Sequence, residues 1–176
     1  SLGMPVFKIA SGDLTYQPLV KRIARFKKPV LLSTGAATMK EIRASVEAIR
    51  REGNPKIILL HCVSSYPAPY EDMNLRSLCG LHETFKLPVG LSDHTLGTSI
   101  PIAAVALGAS VIEKHLTLDR RSPGPDHSFA VEPAEFKKMI ESIVKEFGYK
   151  LVIKKKLAAK QSINSVEDLL FEEAKD

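Results

Sequence analysis

Five short apolar runs recur along the chain, and each has the length of a β-strand. They are rich in Val, Ile and Leu and are continuous rather than alternating, which is typical of strands that are covered on both faces. The runs are residues 5–10, 29–33, 56–62, 87–92 and 110–116. Because they recur roughly every 25–30 residues, they predict a parallel sheet in which a crossover connects each strand to the next.

Helical patterns lie between several of these runs. Thr38 and Glu41 have the spacing of a capping box, and an apolar stripe at helical spacing follows Thr38. Together they predict a helix over 38–53. A second stripe predicts a helix over 132–148, and a shorter, nearly all-apolar helix is predicted over 98–109. The alternation of strands and helices indicates the α/β class.

Polar residues follow every one of the five apolar runs. In a parallel α/β fold the carboxyl ends of the strands share one rim, and such folds place their sites there. One polar strand end can simply cap the next helix, but five in register favour a site. The candidates are Ser11, Asp13, Ser33, Thr34, Gly35, His61, Ser64, Ser65, Tyr66, Ser92, Asp93, His94, Glu113, Lys114, His115 and Asp119.

Two of these candidates, His94 and His115, end consecutive predicted strands and are therefore expected to stand side by side. Two imidazoles with neighbouring carboxylates suit a divalent metal that keeps open coordination positions. Each histidine alone is also compatible with a hydrogen-bonded rim residue. As a pair they favour the metal.

Hydroxyl groups at three strand ends indicate a possible anion site. Ser33, Ser64 and Ser92, together with loop amides and helix N-termini, are suited to hold a phosphate, although each serine alone is also compatible with a helix cap. Lys8 lies inside the first apolar run, where an unpaired charge is costly to bury. Either an anionic ligand or a structural carboxylate partner accounts for it.

Lys114 raises a different possibility, the Schiff-base lysine of an aldolase. Side chains alternate along a strand, so if Glu113 and His115 point into the sheet's interior, Lys114 points towards the helices. Only a bulge would reverse that orientation.

Two loops carry further candidates. The loop after residue 62 contains Pro67 and Pro69 beside Tyr66 and is expected to be rigid enough to hold a ligand. A Gly-Pro loop at 124–127 presents Asp126 and His127, and a plain turn is its alternative interpretation.

Composition and charge narrow the class of protein. The chain has 176 residues, a net charge of +5 and 26% charged residues, which is ordinary for one soluble domain. The basic run at 150–160 is interpreted as a solvated surface, and nothing indicates nucleic-acid binding. Cys62 and Cys79 have no metal-binding spacing and are interpreted as reduced thiols of a cytoplasmic protein. No membrane span or signal peptide is predicted.

Six strings together resemble the sialic acid synthase family, which includes the N-acetylneuraminate, legionaminate and pseudaminate synthases. They are "FKIASGDLT", "PVLLSTGAAT", "LLHCVSSYPAPYEDMNLR", "LPVGLSDHT", "AVALGASVIEKHLTLD" and "GPDHSFAVEPAEFKKMI". They occur in the family's order and spacing over residues 1 to about 147 and are jointly specific.

The resemblance implies a (β/α)8 (TIM) barrel that condenses phosphoenolpyruvate with an N-acyl hexosamine such as N-acetylmannosamine. The product is a nine-carbon sialic acid, phosphate is released, and a divalent metal, Mn²⁺ or Mg²⁺, is required. It further implies that His94 and His115 bind the metal and that Asp13 is an acid near the metal and the acceptor aldehyde. The implied phosphoenolpyruvate pocket is Lys8, Ser11, Ser33, Ser64 and Ser92, and the implied sugar contacts are Tyr66 and Asp126.

The chain matches only the last five strands of the family barrel. We therefore expect residues 1–148 to form a partial barrel and 149–176 to be a basic linker or a shortened start of the family's antifreeze-like domain. We also expect either a longer parent chain with residues before Ser1, or a partner such as a second copy in a homodimer. A non-catalytic relative that binds only a ligand or a partner, and the Schiff-base aldolase, stay open as alternative functions.

Overall fold

The computed structural model describes residues 3–150 and 172–173 and contains a parallel sheet with five α-helices. The strands are β1 (Phe7–Ile9), β2 (Val30–Ser33), β3 (Ile57–Cys62), β4 (Val89–Asp93) and β5 (Val111–Lys114). The helices are α1 (Gln17–Ala24), α2 (Met39–Arg51), α3 (Ser77–Phe85), α4 (Ser99–Ala106) and α5 (Pro133–Phe147). Every strand overlaps a predicted apolar run, and α2, α4 and α5 match the predicted helices, whereas α1 and α3 were not predicted.

The strand order in the sheet is the order along the chain, β1-β2-β3-β4-β5, and every pairing is parallel. In the last pair, Ser92 lies opposite Glu113 and Asp93 opposite Lys114. The predicted parallel sheet is therefore confirmed, and all five strands place their carboxyl ends on one rim.

The sheet is strongly curved, as an ion pair between its two outermost strands shows. Lys8 Nζ on β1 lies 3.2 Å from Glu113 Oε1 on β5. With neighbouring strands about 4.8 Å apart, four steps across a flat sheet would separate β1 from β5 by about 19 Å. That is farther than a lysine and a glutamate can bridge together, so the sheet must curl into part of a barrel.

The two faces of the curved sheet have different neighbours because successive side chains alternate. The outer face packs against the helices and forms most of the core, and its fully buried residues include Ile9, Leu32, Ile57, Leu59 and Leu91. Burying each such side chain contributes roughly 1.5–3 kcal/mol. The inner face carries Lys8, Ser92 and Glu113 near the rim.

Helix α2 begins with the predicted capping box. Thr38 Oγ1 accepts a hydrogen bond from the Glu41 amide at 3.3 Å, and the Glu41 carboxylate accepts one from the Thr38 amide at 2.8 Å. The hydrogen bonds that the Glu41 carboxylate accepts from the Thr38 amide and from the Thr38 hydroxyl hold the pKa of Glu41 below its ordinary value. Helix α5 has a second capping box, formed by Glu132 and Glu135.

The proposed linker or antifreeze-like segment at 149–176 lies outside the described residues, apart from a short antiparallel pairing of Tyr149–Lys150 with Glu172–Glu173. Within the described part of the chain, no helix has both the length and the apolar character needed to cross a membrane.

Candidate functional site

His94 and His115 each follow the last residue of a strand, β4 and β5 respectively, and the structure brings them together. Their ring centroids lie 5.5 Å apart. This follows from the register, because Asp93 and Lys114 are paired and the two histidines are the next residues in each strand direction. The alternation of side chains turns both rings to the inner face, beside Ser92 and Glu113.

The hydrogen bonds of His94 leave one ring nitrogen available. Its Nδ1 lies 2.7 Å from the Val63 carbonyl oxygen and must donate to it, so Nε2 carries the lone pair. Ser92 Oγ lies 3.5 Å from this Nε2, but its proton is donated to Glu113 at 2.6 Å, so the lone pair stays available to a ligand. The side chain is 6% exposed, and burial lowers the pKa of His94 below its ordinary value. A neutral imidazole whose other nitrogen is fixed by a carbonyl is the form in which histidine binds metals.

Two aromatic rings enclose the imidazole pair. The Tyr66 ring centroid lies 4.1 Å from that of His94, and the Phe129 centroid lies 5.0 Å from that of His115. Partial burial raises the pKa of Tyr66, and the nearby Cys62, Asp126 and Glu113 act in the same direction. The Tyr66 hydroxyl therefore stays protonated and can donate a hydrogen bond.

The loop that carries Tyr66 is fastened to the chain beyond β4. The Ala68 amide donates to the His94 carbonyl oxygen at 3.0 Å, and the Tyr70 hydroxyl donates to the Leu96 carbonyl oxygen at 2.7 Å. These bonds link the position of Tyr66 to that of His94 and fix the loop against the chain that follows β4.

Asp126 and Asp13 differ in their relation to the imidazoles. Asp126 Oδ2 lies 3.7 Å from His115 Nδ1, on an exposed loop. Asp13 is exposed on the 3₁₀ turn Ser11–Asp13 after β1, and within the described residues it makes no ion pair with either histidine. His127, the neighbour of Asp126, is hydrogen-bonded through its Nδ1 to the Thr117 hydroxyl at 2.7 Å.

Hydroxyl groups at the ends of β1 and β3 converge on Gly35. The Gly35 amide donates to Ser11 Oγ at 3.0 Å, and Ser11 Oγ lies 2.9 Å from Cys62 Sγ. A Cβ atom built on Gly35 would lie 2.6 Å from Cys62 Sγ and 2.7 Å from Ser64 Oγ. We call this group of Ser11, Gly35, Cys62 and Ser64 the hydroxyl cradle. Only glycine leaves room for its atoms.

Ser33, at the end of β2, has an unsatisfied hydroxyl. The residue is 2% exposed, and its Oγ has no hydrogen-bond partner within the described residues. Such a group costs about 1–3 kcal/mol of desolvation and calls for a specific explanation. A ligand bound at the rim is one such explanation, because it would give the Ser33 hydroxyl a hydrogen-bond partner.

Glu113 joins the predicted anion-binding groups to the imidazole pair. Its Oε1 accepts a hydrogen bond from Ser92 Oγ at 2.6 Å and pairs with Lys8 Nζ at 3.2 Å. The carboxylate partner anticipated as one explanation of Lys8 is therefore present. Glu113 was a polar strand end without an assigned role, and the signal for it was its position two residues before His115 on the same face.

Several polar strand ends serve the fold instead of the site. His61 Nε2 lies 2.6 Å from the Met73 carbonyl oxygen, and the Thr34 hydroxyl donates to the Leu60 carbonyl oxygen at 3.1 Å. Asp119 pairs with Arg121, and Ser65 Oγ donates to the Pro67 carbonyl oxygen at 3.2 Å. The sequence pattern therefore overestimated how many rim residues are free for a ligand.

Lys114 points away from the rim, as alternation predicted. Its Nζ lies 2.5 Å from Asp93 Oδ2 and donates to the Thr95 carbonyl oxygen at 2.8 Å. Its side chain is 2% exposed. A Schiff-base lysine must present a neutral amine to a substrate carbonyl, and this amine is enclosed and paired.

The imidazole pair offers two nitrogen donors that a metal could use. Within the described residues, no group of three or more histidine, cysteine, aspartate or glutamate side chains is arranged to hold one. A ring nitrogen lies about 2 Å from a bound divalent ion, so the 5.5 Å spacing of the rings is compatible with one ion between them. The remaining coordination positions would be open to other ligands.

The curved parallel sheet, with its imidazole pair and hydroxyl cradle on the carboxyl rim, defines part of a (β/α)8 barrel. The chain belongs to the NeuB family, which its residues 1–149 match. Among the relatives named in this family are sialic, legionaminic and pseudaminic acid synthases.

Three relatives illustrate the likeness. The chain is 53% identical to an uncharacterized protein of Methanocaldococcus jannaschii, over 81% of this chain and 42% of the relative. It is 42% identical to the N,N'-diacetyllegionaminic acid synthase of Campylobacter jejuni, over 94% of this chain and 55% of the relative. The crystal structure of an N-acetylneuraminic acid synthetase from Leptospira borgpetersenii, in complex with citrate, superposes with a TM-score of 0.78 at 37% identity. That match covers 91% of this chain and 60% of the other. The chain thus spans about half the length of the curated relatives it matches.

Proposed function

We propose that this chain carries the metal-binding and anion-binding part of a sugar-acid synthase active site. The reaction condenses phosphoenolpyruvate with an N-acyl hexosamine resembling N-acetylmannosamine and yields a nine-carbon sialic acid and phosphate. The family membership supports a sugar-acid synthase, and the substrates are inferred from the resemblance together with the groups on the rim.

The observation that carries the proposal is the imidazole pair. His94 and His115 would hold one divalent ion through Nε2 of His94 and a ring nitrogen of His115. Imidazole ligands favour Mn²⁺ over Mg²⁺, because Mg²⁺ takes oxygen ligands by preference. When bound, the ion would supply Lewis-acid polarisation of the acceptor's carbonyl oxygen.

The anion groups would orient phosphoenolpyruvate. The unsatisfied Ser33 hydroxyl, the hydroxyl cradle, Ser92 and Lys8 offer several donors to a phosphate or a carboxylate. Holding carbon 3 of this substrate against the acceptor aldehyde makes the bond-forming step effectively intramolecular. A carbon–carbon bond forms there, water adds at carbon 2, and phosphate leaves with cleavage of its C–O bond.

Tyr66 and Asp126, which lie beside the imidazole pair, would bind the sugar. Tyr66 can donate its hydroxyl proton to a sugar oxygen, and Asp126, exposed beside His115, can accept from a sugar hydroxyl. Asp13 would act as an acid near the acceptor in this proposal. A homodimer, or a longer chain that completes the barrel, and a cytoplasmic location belong to the same proposal.

The decisive experiment measures Mn²⁺ stoichiometry of the purified protein and of His94→Ala and His115→Ala. Both variants should lose the bound ion, because each retains only one imidazole. Leu118→Ala, which changes a side chain that is 89% exposed, is the matched control and should bind as the parent does. Unchanged stoichiometry in both histidine variants would contradict the metal assignment.

Phosphate release from phosphoenolpyruvate and N-acetylmannosamine distinguishes the synthase from its alternative. A protein that binds Mn²⁺ and phosphoenolpyruvate but releases no phosphate, even with the complete natural polypeptide, would be a non-catalytic binding module. The enclosed position of Lys114 does not support the Schiff-base aldolase, and borohydride treatment with substrate should leave the chain unlabelled.

A further inference from the structure

The last rung of the β4–β5 ladder is a buried ion pair. Asp93 and Lys114 are Cα partners in this parallel pairing. Lys114 Nζ lies 2.5 Å from Asp93 Oδ2, and the two side chains are 2% and 0% exposed, respectively. Both groups point to the helix-covered face, opposite to the face that carries Ser92 and Glu113.

Stability alone does not account for such a pair. Taking two charges out of water is costly, and replacing a buried ion pair with apolar residues of similar volume is often neutral or stabilising. Apolar residues already fill the outer face on the neighbouring rungs, for example Leu91 and Ile112. The charged pair Asp93–Lys114 at the end of this pairing is therefore explained better by the neighbouring residues that it holds in place.

The ion pair flanks both imidazoles along the chain. His94 directly follows Asp93, and His115 directly follows Lys114. The Thr95 backbone is held from both sides, since its amide donates to Asp93 Oδ1 at 3.0 Å and its carbonyl oxygen accepts from Lys114 at 2.8 Å. The chain on either side of His94 is thus tied to β5.

The far side of His115 is fixed as well. Its carbonyl oxygen accepts a hydrogen bond from the Val131 amide at 2.9 Å. With one strand end tied to the other by the ion pair, the backbone segments that carry the two rings cannot separate without breaking a charge-assisted bond that is closed to water.

We propose that Asp93 and Lys114 form a positioning pair for the metal-binding imidazoles. The pair sets the separation of His94 and His115 to one that a single divalent ion can bridge, while neither residue touches the ion or the substrates. This inference rests on the proposed function, because it assigns a role with respect to the metal site.

The test compares Mn²⁺ affinity across variants of the complete natural polypeptide, measured by electron paramagnetic resonance of free and bound Mn²⁺ and paired with thermal unfolding. Asp93→Leu combined with Lys114→Met removes both charges and keeps apolar volume, so the rung should remain packed. We expect this double variant to bind Mn²⁺ at least 10-fold more weakly, with a changed line width of the bound ion, at temperatures where it is fully folded. Lys114→Arg preserves the ion pair and should retain most of the Mn²⁺ affinity of the parent protein.

A matched control neutralises an ion pair away from the site. Arg25→Gln combined with Glu52→Gln removes a pair that joins α1 to the end of α2 and should leave Mn²⁺ affinity unchanged. If the Asp93→Leu/Lys114→Met protein does not fold, Asp93→Asn combined with Lys114→Met serves in its place, because it retains an acceptor for the Thr95 amide and leaves no unpaired charge buried. It should show the same loss of affinity in the folded fraction.

The outcomes separate this inference from the proposed function. Unaltered Mn²⁺ affinity and line width in the folded variants would overturn the positioning role while leaving the metal site intact. A lower unfolding temperature without any change in affinity would show a purely structural pair and would also overturn it. Absence of Mn²⁺ binding by the parent protein would instead overturn the proposed function, and this inference with it.

Discussion

Glu113 occupies the space between two groups that are suited to bind an anion, Lys8 and Ser92. Its carboxylate therefore satisfies them when no ligand is bound, and an incoming anion must compete with it. The same carboxylate limits the positive potential that Lys8 offers to a phosphate. At the residue scale, the proposed anion site would thus be tuned by a group of the same charge as its ligand.

We predict that Glu113→Gln tightens the binding of inorganic phosphate. The Lys8 and Glu113 side chains are 31% and 40% exposed, so solvent screens their attraction. The expected gain is about two- to five-fold, since partly exposed ion pairs are worth up to about 1 kcal/mol. Titration calorimetry with phosphate measures it. Glu47→Gln, which removes the exposed partner of Arg51, should bind phosphate unchanged, and weaker binding by Glu113→Gln would contradict the competition.

We predict that Ser33→Ala leaves the free energy of unfolding unchanged or raises it, while phosphate binding weakens. Ser33 Oγ is buried and has no hydrogen-bond partner among the described residues, so its removal should break no hydrogen bond and relieve a desolvation cost. Ser45 is a matched contrast, because its buried hydroxyl donates to the Leu14 carbonyl oxygen at 2.6 Å and accepts from Gln17 at 2.9 Å. Ser45→Ala should cost about 1–3 kcal/mol. Urea unfolding of both variants makes the comparison, and equal losses would show that Ser33 is satisfied after all.

At the scale of elements, the site depends on how closely the β2–α2 loop approaches the ends of β1 and β3. Gly35 makes that approach possible, since a Cβ atom there would lie within 2.9 Å of Ser11 Oγ, Ser64 Oγ and Cys62 Sγ. The left-handed conformation of Ala36, with φ of 56°, shows that the loop turns sharply at this point. The hydroxyl cradle is therefore a property of three loops together.

We predict that Gly35→Ala destabilises the protein by about 1–3 kcal/mol, as overpacking does, and abolishes detectable phosphate binding. Gly80, in the exposed part of α3, has no atom within 4 Å of a built Cβ. Gly80→Ala should therefore stabilise the chain by up to about 1 kcal/mol, because alanine loses less backbone entropy in a helix. Thermal unfolding and calorimetry of the two variants test the contrast, which would be refuted by unimpaired phosphate binding in Gly35→Ala.

At the scale of the whole molecule, the described residues form an open, curved sheet. Among the residues that the structure describes, β1 pairs with β2 alone, and beyond β5 there is one bridge, between Leu116 and Val131. Unpaired strand edges associate with other chains. Within the same residues, no further strand closes the inner face as it would in a complete barrel.

We predict that the isolated 176-residue chain self-associates and has little synthase activity, whereas a polypeptide that supplies the complementary strands turns over. If strands that complete the barrel contribute even one electrostatic group to the transition state, its absence costs about 100–1000-fold in rate. The assay is phosphate release with Mn²⁺, phosphoenolpyruvate and N-acetylmannosamine on a fraction shown to be monomeric by light scattering. Rapid turnover by that monomer would show that five strands suffice.

Most elements with strong local signals were predicted from the sequence. The continuous Val, Ile and Leu runs predicted all five strands, and the Thr38–Glu41 capping box predicted the start of α2. Helix α3 has no side-chain cap at its N-terminus and contains Gly80, so its local signal is weak. Helix α1 also lacks a cap, but it has a proline in its first turn and buried residues at helical spacing, Val20, Ile23 and Ala24. That local pattern was present in the sequence and was not recognised as a helix.

What the sequence alone determined is the parallel sheet with its shared rim and the adjacency of His94 and His115, because both histidines lie at the ends of apolar runs that are consecutive along the chain, and side chains alternate along a strand. The order of the strands and their register were decided by the tertiary structure. Only the tertiary structure decided which polar strand ends are free, since His61 and Thr34 are satisfied by backbone groups distant in sequence. Curvature decided the pairing of Lys8 with Glu113, across three intervening strands. Contacts of that kind depend on the closing of the sheet in space, and spacing along the chain carries no information about them.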